Sequence, residues 1–338
     1  MAMTVVAAKE LEAAAGAVAT GCASRAGCVP IVQLAGASNS CGRCRERPCR
    51  GTIAAMLPPD NHVHSQFSWD TGANASMEQT CRRAVALGLP AVAFTEHVDF
   101  TEWGSDDRPP DGSAGGDAPS AAMEIAGRAR VQPVDVDGYL ESIERCRATF
   151  PELRILSGVE AGEPHHFAGS VAAVLAHGTF DRVLGSLHSI VHDGRLIGAD
   201  RMLGKLAPEV VMRDYFAELL RLVENSDVFQ VLAHCDYPRR YWPARRVGEY
   251  READFEEEYR TVFRALASSG RALELNTRSP LASTTLMRWW YEEGGDAVSF
   301  GSDAHVPLRV GELFDVAVDI VAAAGFRPGR DDYDFWRR

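Results

Sequence analysis

The 338-residue sequence contains no run of 18 or more apolar residues, which excludes a transmembrane helix of ordinary length. It also lacks a basic excess. Thirty-five Lys and Arg stand against 47 Asp and Glu, for a formal charge of -12. Non-specific nucleic-acid binders need a basic surface to displace counterions from phosphates, so no nucleic-acid partner is expected, and no membrane partner either. A basic leader is missing too: the Ala-rich start carries Lys9, Glu10 and Glu12, which interrupt any secretory core, and a cytoplasmic location is the default expectation. Cysteine is scarce after residue 50. Five of the eight (Cys22, Cys28, Cys41, Cys44 and Cys49) crowd into the opening stretch, and the three scattered later ones read as free thiols. Cys41 and Cys44 have the spacing of a zinc half-site, but no second Cys or His pair at finger spacing accompanies them.

With 46% hydrophobic and 24% charged residues, the chain has the composition of a globular protein large enough for one big domain or two small ones. Residues 1–55 lack a sustained apolar period and read as a disordered extension, or as sequence upstream of the true start if that is Met56. From 56 to 338, short apolar runs alternate with longer amphipathic stretches, the pattern of repeated βα units. Strands are expected near Asn61 to His64, Ala91 to Glu96, Ile155 to Glu160, Arg182 to His188, Val228 to His234, Ala272 to Asn276 and Ala297 to Ser302. Helices fit Ser76 to Leu87, Val136 to Phe150, Glu209 to Glu224, Tyr250 to Ser269, Leu281 to Glu292 and Val310 to Ala324. The strand count is one short of the eight of a standard (β/α)8 barrel. Thr101 to Pro133, rich in Gly, Pro, Asp and Ser, follows a strand directly and is expected as a lid-like insertion, with disorder as the alternative.

The chemistry is carried by what stands at the strand ends. His62 and His64, two apart on one strand, point to the same side and can grip one metal. Asp70 follows in Ser-Trp-Asp. Later strands finish in Glu96-His97, Glu160, His188, His234-Cys235-Asp236 and Asp303-Ala304-His305. A parallel barrel gathers such ends on one face, where these enzymes keep their active sites. A single His there is commonly a hydrogen-bonded structural residue and a single acid commonly a helix cap. The joint pattern is more telling, because it uses most of the chain's ten histidines.

The segments DNHVHSQFSWD, AFTEH, GVE, GSLHS, AHCD, ELNT and GSDAH, in this order from Asp60 to His305, resemble the PHP (polymerase and histidinol phosphatase) family and within it the histidinol-phosphatase branch. That likeness implies a distorted (β/α)7 TIM-like barrel with a trinuclear site. His62, His64, Glu160 and Asp303 would hold one ion. Glu160 would bridge to a second, held also by His188 and His234, while Asp70, His97 and His305 would hold a third. His and carboxylate ligands without thiolate suit Zn, Mn or Fe. Three divalent ions outweigh the carboxylates Asp70, Glu160 and Asp303 and leave a positive pocket suited to a phosphate-monoester dianion. The implied activity is hydrolysis of a small phosphate ester, histidinol phosphate first, by a metal-bridging hydroxide attacking phosphorus. The alternatives are another small ester, such as a nucleotide or sugar phosphate, or a binding module with structural metals.

Asp236 and Glu96 are candidate catalytic residues, as proton carriers or orienters of a ligand His, with capping as the plain alternative. Arg239, Arg240 and Arg278 are candidates to bind phosphate oxygens bidentately. Arg278-Ser279-Pro280 departs from the Gly-Leu-Arg-like run that the family usually carries after ELNT, which bears on substrate identity. His165-His166 opens a helix after Glu163-Pro164 and caps it or lines the rim.

Overall fold

Strands covered on both faces need not alternate in polarity, which is why the expected strands read as near-continuous apolar runs. The computed structural model describes residues 57–72, 74–101, 132–278 and 280–338. Seven parallel strands appear within it: β1 (Asp60–Val63), β2 (Ala91–Val98), β3 (Arg154–Gly162), β4 (Arg182–Ser186), β7 (Val231–Leu232), β8 (Ala272–Asn276) and β9 (Ala297–Gly301). They hydrogen-bond in that order, and β10 (Trp336–Arg337) adds antiparallel to β9. The sheet curls until β1 meets the chain just past β9: His64 N–H donates to Ala304 O at 2.9 Å and Asp303 N–H to His62 O at 2.7 Å. The result is the distorted (β/α)7 barrel that the resemblance implied and with which the strand count agrees. β7 keeps only two residues of the expected Val228 to His234 run.

The helices are α1 (Met77–Leu87), α2 (Val136–Thr149), α3 (Ala168–Leu175), α4 (Pro208–Asn225), α5 (Glu256–Ser268), α6 (Thr284–Glu292) and α7 (Phe314–Ala324). Their boundaries follow local chemistry. Ser76 caps α1 by accepting from Gln79 N–H, and Gly88, at φ 71°, ends it in the left-handed conformation glycine adopts freely. Asp135 and Ser283 cap α2 and α6 in the same way. Inside, Val92, Phe94, Ile155, Leu273, Val298 and Phe300 join Trp290, Tyr215 and Tyr259 from the helices in the main core.

A hairpin not expected from the sequence, β5 (Ser189–His192) and β6 (Arg195–Gly198), leaves the barrel immediately after β4. Its two-residue turn is Asp193-Gly194, both at positive φ, as such hairpin turns require. The extension 1–55 and residues 102–131 of the lid-like insertion lie outside the described residues. So do Cys41, Cys44 and Cys49. Cys81, Cys146 and Cys235 are buried and free. Among the described residues, no helix is long and apolar enough to cross a membrane.

Candidate metal centre

Glu160, near the end of β3, is the hub. Its Oε2 lies 3.4 Å from His62 Nε2, 3.5 Å from His64 Nε2 and 2.9 Å from His97 Nδ1. Its Oε1 lies 2.7 Å from His234 Nε2 and 3.4 Å from His188 Nε2. Asp303 Oδ1 closes the first group at 3.5 Å from His64 Nε2 and 3.9 Å from His62 Nε2. Asp70 Oδ2 reaches His305 Nε2 at 2.8 Å and His97 Nε2 at 3.4 Å. All nine residues named from the sequence therefore meet in one cluster, supplied by β1, β2 and β3 and by the loops after β1, β4, β7 and β9. His234 and Asp303 carry positive φ, the kind of backbone strain that collects at functional sites.

Three features fit divalent cations to this donor set. Donor separations of 3.1 to 3.9 Å around His62 and His64 bracket the edge of about 3.3 Å expected for a tetrahedral ion with bonds near 2.0–2.1 Å. The second feature is tautomeric. His62 Nδ1 is bound to Glu274 Oε1 at 2.7 Å. His64 Nδ1 is bound to Ser68 Oγ at 3.0 Å, whose own hydroxyl is given to Glu96. Both Nδ1 atoms are thus donors, and the two Nε2 atoms face each other at 3.1 Å. A proton or a cation must lie between them. Third, among the described residues the buried atoms Asp70 Oδ1, His97 Nδ1, Glu160 Oε2 and His234 Nδ1 make no well-aligned hydrogen bond, the 2.9 Å approach of His97 Nδ1 to Glu160 Oε2 included, an arrangement that costs stability unless something else satisfies them.

Electrostatics divides the imidazoles. Burial opposes the charge on His62, but Glu274, Glu160 and Asp303 outweigh it and raise its basicity well above the ordinary value. Burial and the neighbouring rings of His97 and His305 push His64 well below it, and burial lowers His234. Glu160 is held well below the usual carboxylate range: burial works the other way but is overcome by His62, His97 and His188. The ligand atoms can also be grouped as His62 with Glu160 and His234, as His64 with His97 and His305, or as His97 with Asp99 and His188.

Of the arginines, Arg240 and Arg278 join the cluster. Arg240 donates to Asp303 Oδ2 and, at 3.1 Å, to Asn276 Oδ1, while Arg278 donates to Asp303 Oδ1 at 3.0 Å and lies against the His305 ring. Arg239 turns elsewhere, to Asp236 Oδ2 at 3.1 Å and Glu252 Oε1 at 2.8 Å. Asp236 accepts from Arg239 and from the Tyr259 hydroxyl, also at 3.1 Å. Among the described residues, every hydrogen bond of the Glu96 carboxylate goes to Ser65 and Ser68, so it anchors the loop after β1.

Two important residues were not singled out from the sequence. Glu274, on β8, holds His62 Nδ1 with one oxygen and the backbone N–H of His234 with the other. Gly301 makes room for it, since a Cβ there would fall 2.0 Å from Glu274 Oε1 and 2.6 Å from His62 Cβ. Asp99 takes the Trp69 indole N–H at 2.9 Å and lies 3.4 Å from His188 Nδ1. The spacing of Glu274 and Asn276, two apart at the end of β8, was the available signal: it repeats the His62/His64 pattern on the one strand without a ligand.

The PHP domain model matches residues 60–278 of the chain. The histidinol-phosphatase of Lactococcus lactis is 28% identical, covering 80% of this chain and 93% of that protein. A probable histidinol-phosphatase of Thermotoga maritima is 31% identical over 75% of this chain and 86% of its own length. Among solved structures, the Lactococcus lactis histidinol phosphate phosphatase complexed with zinc, L-histidinol and phosphate matches with a TM-score of 0.63 at 26% identity, over 80% of this chain and 95% of that one. A Listeria monocytogenes structure matches in fold, with a TM-score of 0.58 over 76% of this chain and 99% of that one, at 16% identity.

Proposed function

The chain belongs to the PHP domain family, and from that premise we propose that it is a phosphomonoesterase that cleaves L-histidinol phosphate to L-histidinol and phosphate, in the cytoplasm, with three divalent ions. The observation that carries this reading is the pair of facing Nε2 atoms of His62 and His64 beside Glu160, with Arg240 and Arg278 both on Asp303. His62, His64, Glu160 and Asp303 would hold one ion, Glu160 with His188 and His234 a second, and Asp70, His97 and His305 a third.

When bound, the ions supply Lewis acidity, which brings water acidity towards neutrality and screens charge on the phosphoryl oxygens. The chain's own residues do the rest. Glu274 and Ser68 fix the Nδ1–H tautomers of His62 and His64 and so aim both Nε2 lone pairs inward. Arg240 and Arg278 carry guanidinium groups at the rim of the cluster and bind the non-bridging oxygens of the monoester. Water adds to phosphorus, the phosphorus–oxygen ester bond breaks, and the departing alkoxide takes up a proton. Asp236 acts here as a positioning residue that holds Arg239, and Glu96 as one that holds the loop bearing Asp70.

Phosphate release from L-histidinol phosphate, against a panel of nucleotides and sugar phosphates, tests the reading with protein reconstituted in Zn or Mn. A dominant kcat/KM for histidinol phosphate is expected. The Arg278-Ser279-Pro280 segment favours one second reading, a different small phosphate ester on the same centre; activity confined to a nucleotide or sugar phosphate would support it.

A further inference from the structure

Among the described residues, one further His and carboxylate group lies apart from the Glu160 centre: His165 and His166, in the turn after β3, with Glu218 of α4. The Nε2 atoms of His165 and His166 converge on the same oxygen, Glu218 Oε1, at 2.8 and 2.7 Å, with ring centroids 4.1 Å apart. The His165 and Glu218 side chains are buried, and that of His166 is 33% exposed. Arg221, one turn further along α4, pairs with the other oxygen, Oε2, and so leaves Oε1 to the imidazoles. Among the described residues His165 Nδ1 is buried with no partner, so the contacts that hold the ring are on its Nε2 side. Burial lowers the basicity of His165, which favours the neutral form of the ring that a cation requires.

We propose that His165, His166 and Glu218 form an additional divalent-cation site, separate from the Glu160 centre, whose ion clips the turn after β3 to α4. Two imidazoles and one carboxylate suit Zn or Mn, and water completes a tetrahedral shell. To reach a tetrahedral edge of about 3.3 Å, both imidazole–carboxylate gaps must open by about 0.5 Å as the cation replaces the two hydrogen bonds. The clip has a structural purpose. The same turn carries Glu163 at φ 45°, and Glu163 Oε1 accepts the backbone N–H groups of His188 and Ser189 at 2.6 and 2.8 Å. An ion at Glu218 would steady the segment that presents His188.

The test is elemental analysis of tag-free protein saturated with zinc and freed of excess ion, comparing wild type with His166→Ala. The variant is expected to lose one zinc equivalent while phosphatase activity stays within a few-fold. An unchanged zinc content would overturn the site. Because the reading is a difference between two proteins, it depends neither on how many ions the Glu160 centre holds nor on whether the chain is a phosphatase. A zinc-edge anomalous difference map of the wild-type crystal at saturating zinc needs no variant. A peak between the three side chains is expected, and a map without one rejects the site.

Discussion

The two ends of the same strands have opposite chemistry. β2 begins Ala91-Val92-Ala93-Phe94, all buried among apolar neighbours, and carries Glu96 and His97 towards its other end, also buried but among polar and ionisable side chains. β8 divides likewise between Ala272-Leu273 and Glu274-Leu275-Asn276. Burying apolar surface contributes about 25 cal/mol per Å², whereas burying ionisable groups costs stability unless each is paired. One end of the barrel therefore stabilises the fold, and the other uses that stability to hold charges at fixed separations. The division predicts that mutations at one end destroy activity with the fold intact, and at the other destroy the fold with the chemistry intact.

The largest effect is expected at the charged end. Glu160→Ala should lower kcat/KM by roughly 10³-fold or more, the scale of losing a preorganised charge-stabilising group, while the circular dichroism spectrum stays that of wild type. An unfolded variant would mean that the charged end also carries stability. At the apolar end, Phe94→Ala should cost about 3–5 kcal/mol in denaturant unfolding, through lost burial and the cavity left behind, with kcat per folded molecule unchanged. Glu274→Gln sharpens the comparison from the supporting layer. It keeps the shape, loses the charge facing His62, and should weaken metal binding about 10- to 100-fold in a competition titration with a chelator; wild-type affinity would remove Glu274 from the centre.

The smallest effect is in pH dependence. In metal-free protein, burial opposes the charge on His188, but Glu160 and Asp99 outweigh it and raise its pKa from 6.5 to about 10. A raised histidine pKa contributes stability that is complete below 6.5 and is lost as pH rises towards 10. The thermal midpoint of metal-free protein should therefore fall across that window. Metal affinity should rise over the same range, because binding expels the protons. A metal-free midpoint that climbs with pH would contradict the pairing of His188 with Glu160 and Asp99.

The nine clustered residues were legible in the sequence because each sits at a strand end or shortly after one, and a parallel barrel brings those ends together. Glu274 was not, because its partner His62 is 212 residues away and its role appears only when β8 lies between β7 and β9. The strand it ends was the one that seemed to lack a ligand, and it supplies the support instead. The separation of Arg240 from Arg239 was equally hidden: the short 3-10 helix Tyr237–Tyr241 sends adjacent arginines to Asp303 and to Glu252. The hairpin at Asp193-Gly194 had a local turn signal, but it falls in a stretch where the βα rhythm suggested no further strand.

The most direct test of the metal centre is phosphate release from L-histidinol phosphate by protein stripped with chelator and then titrated with Zn or Mn. No turnover is expected in the stripped protein, with recovery that rises with added ion in wild type but is absent in His62→Ala. Turnover that survives stripping, or recovers equally in His62→Ala, would contradict it.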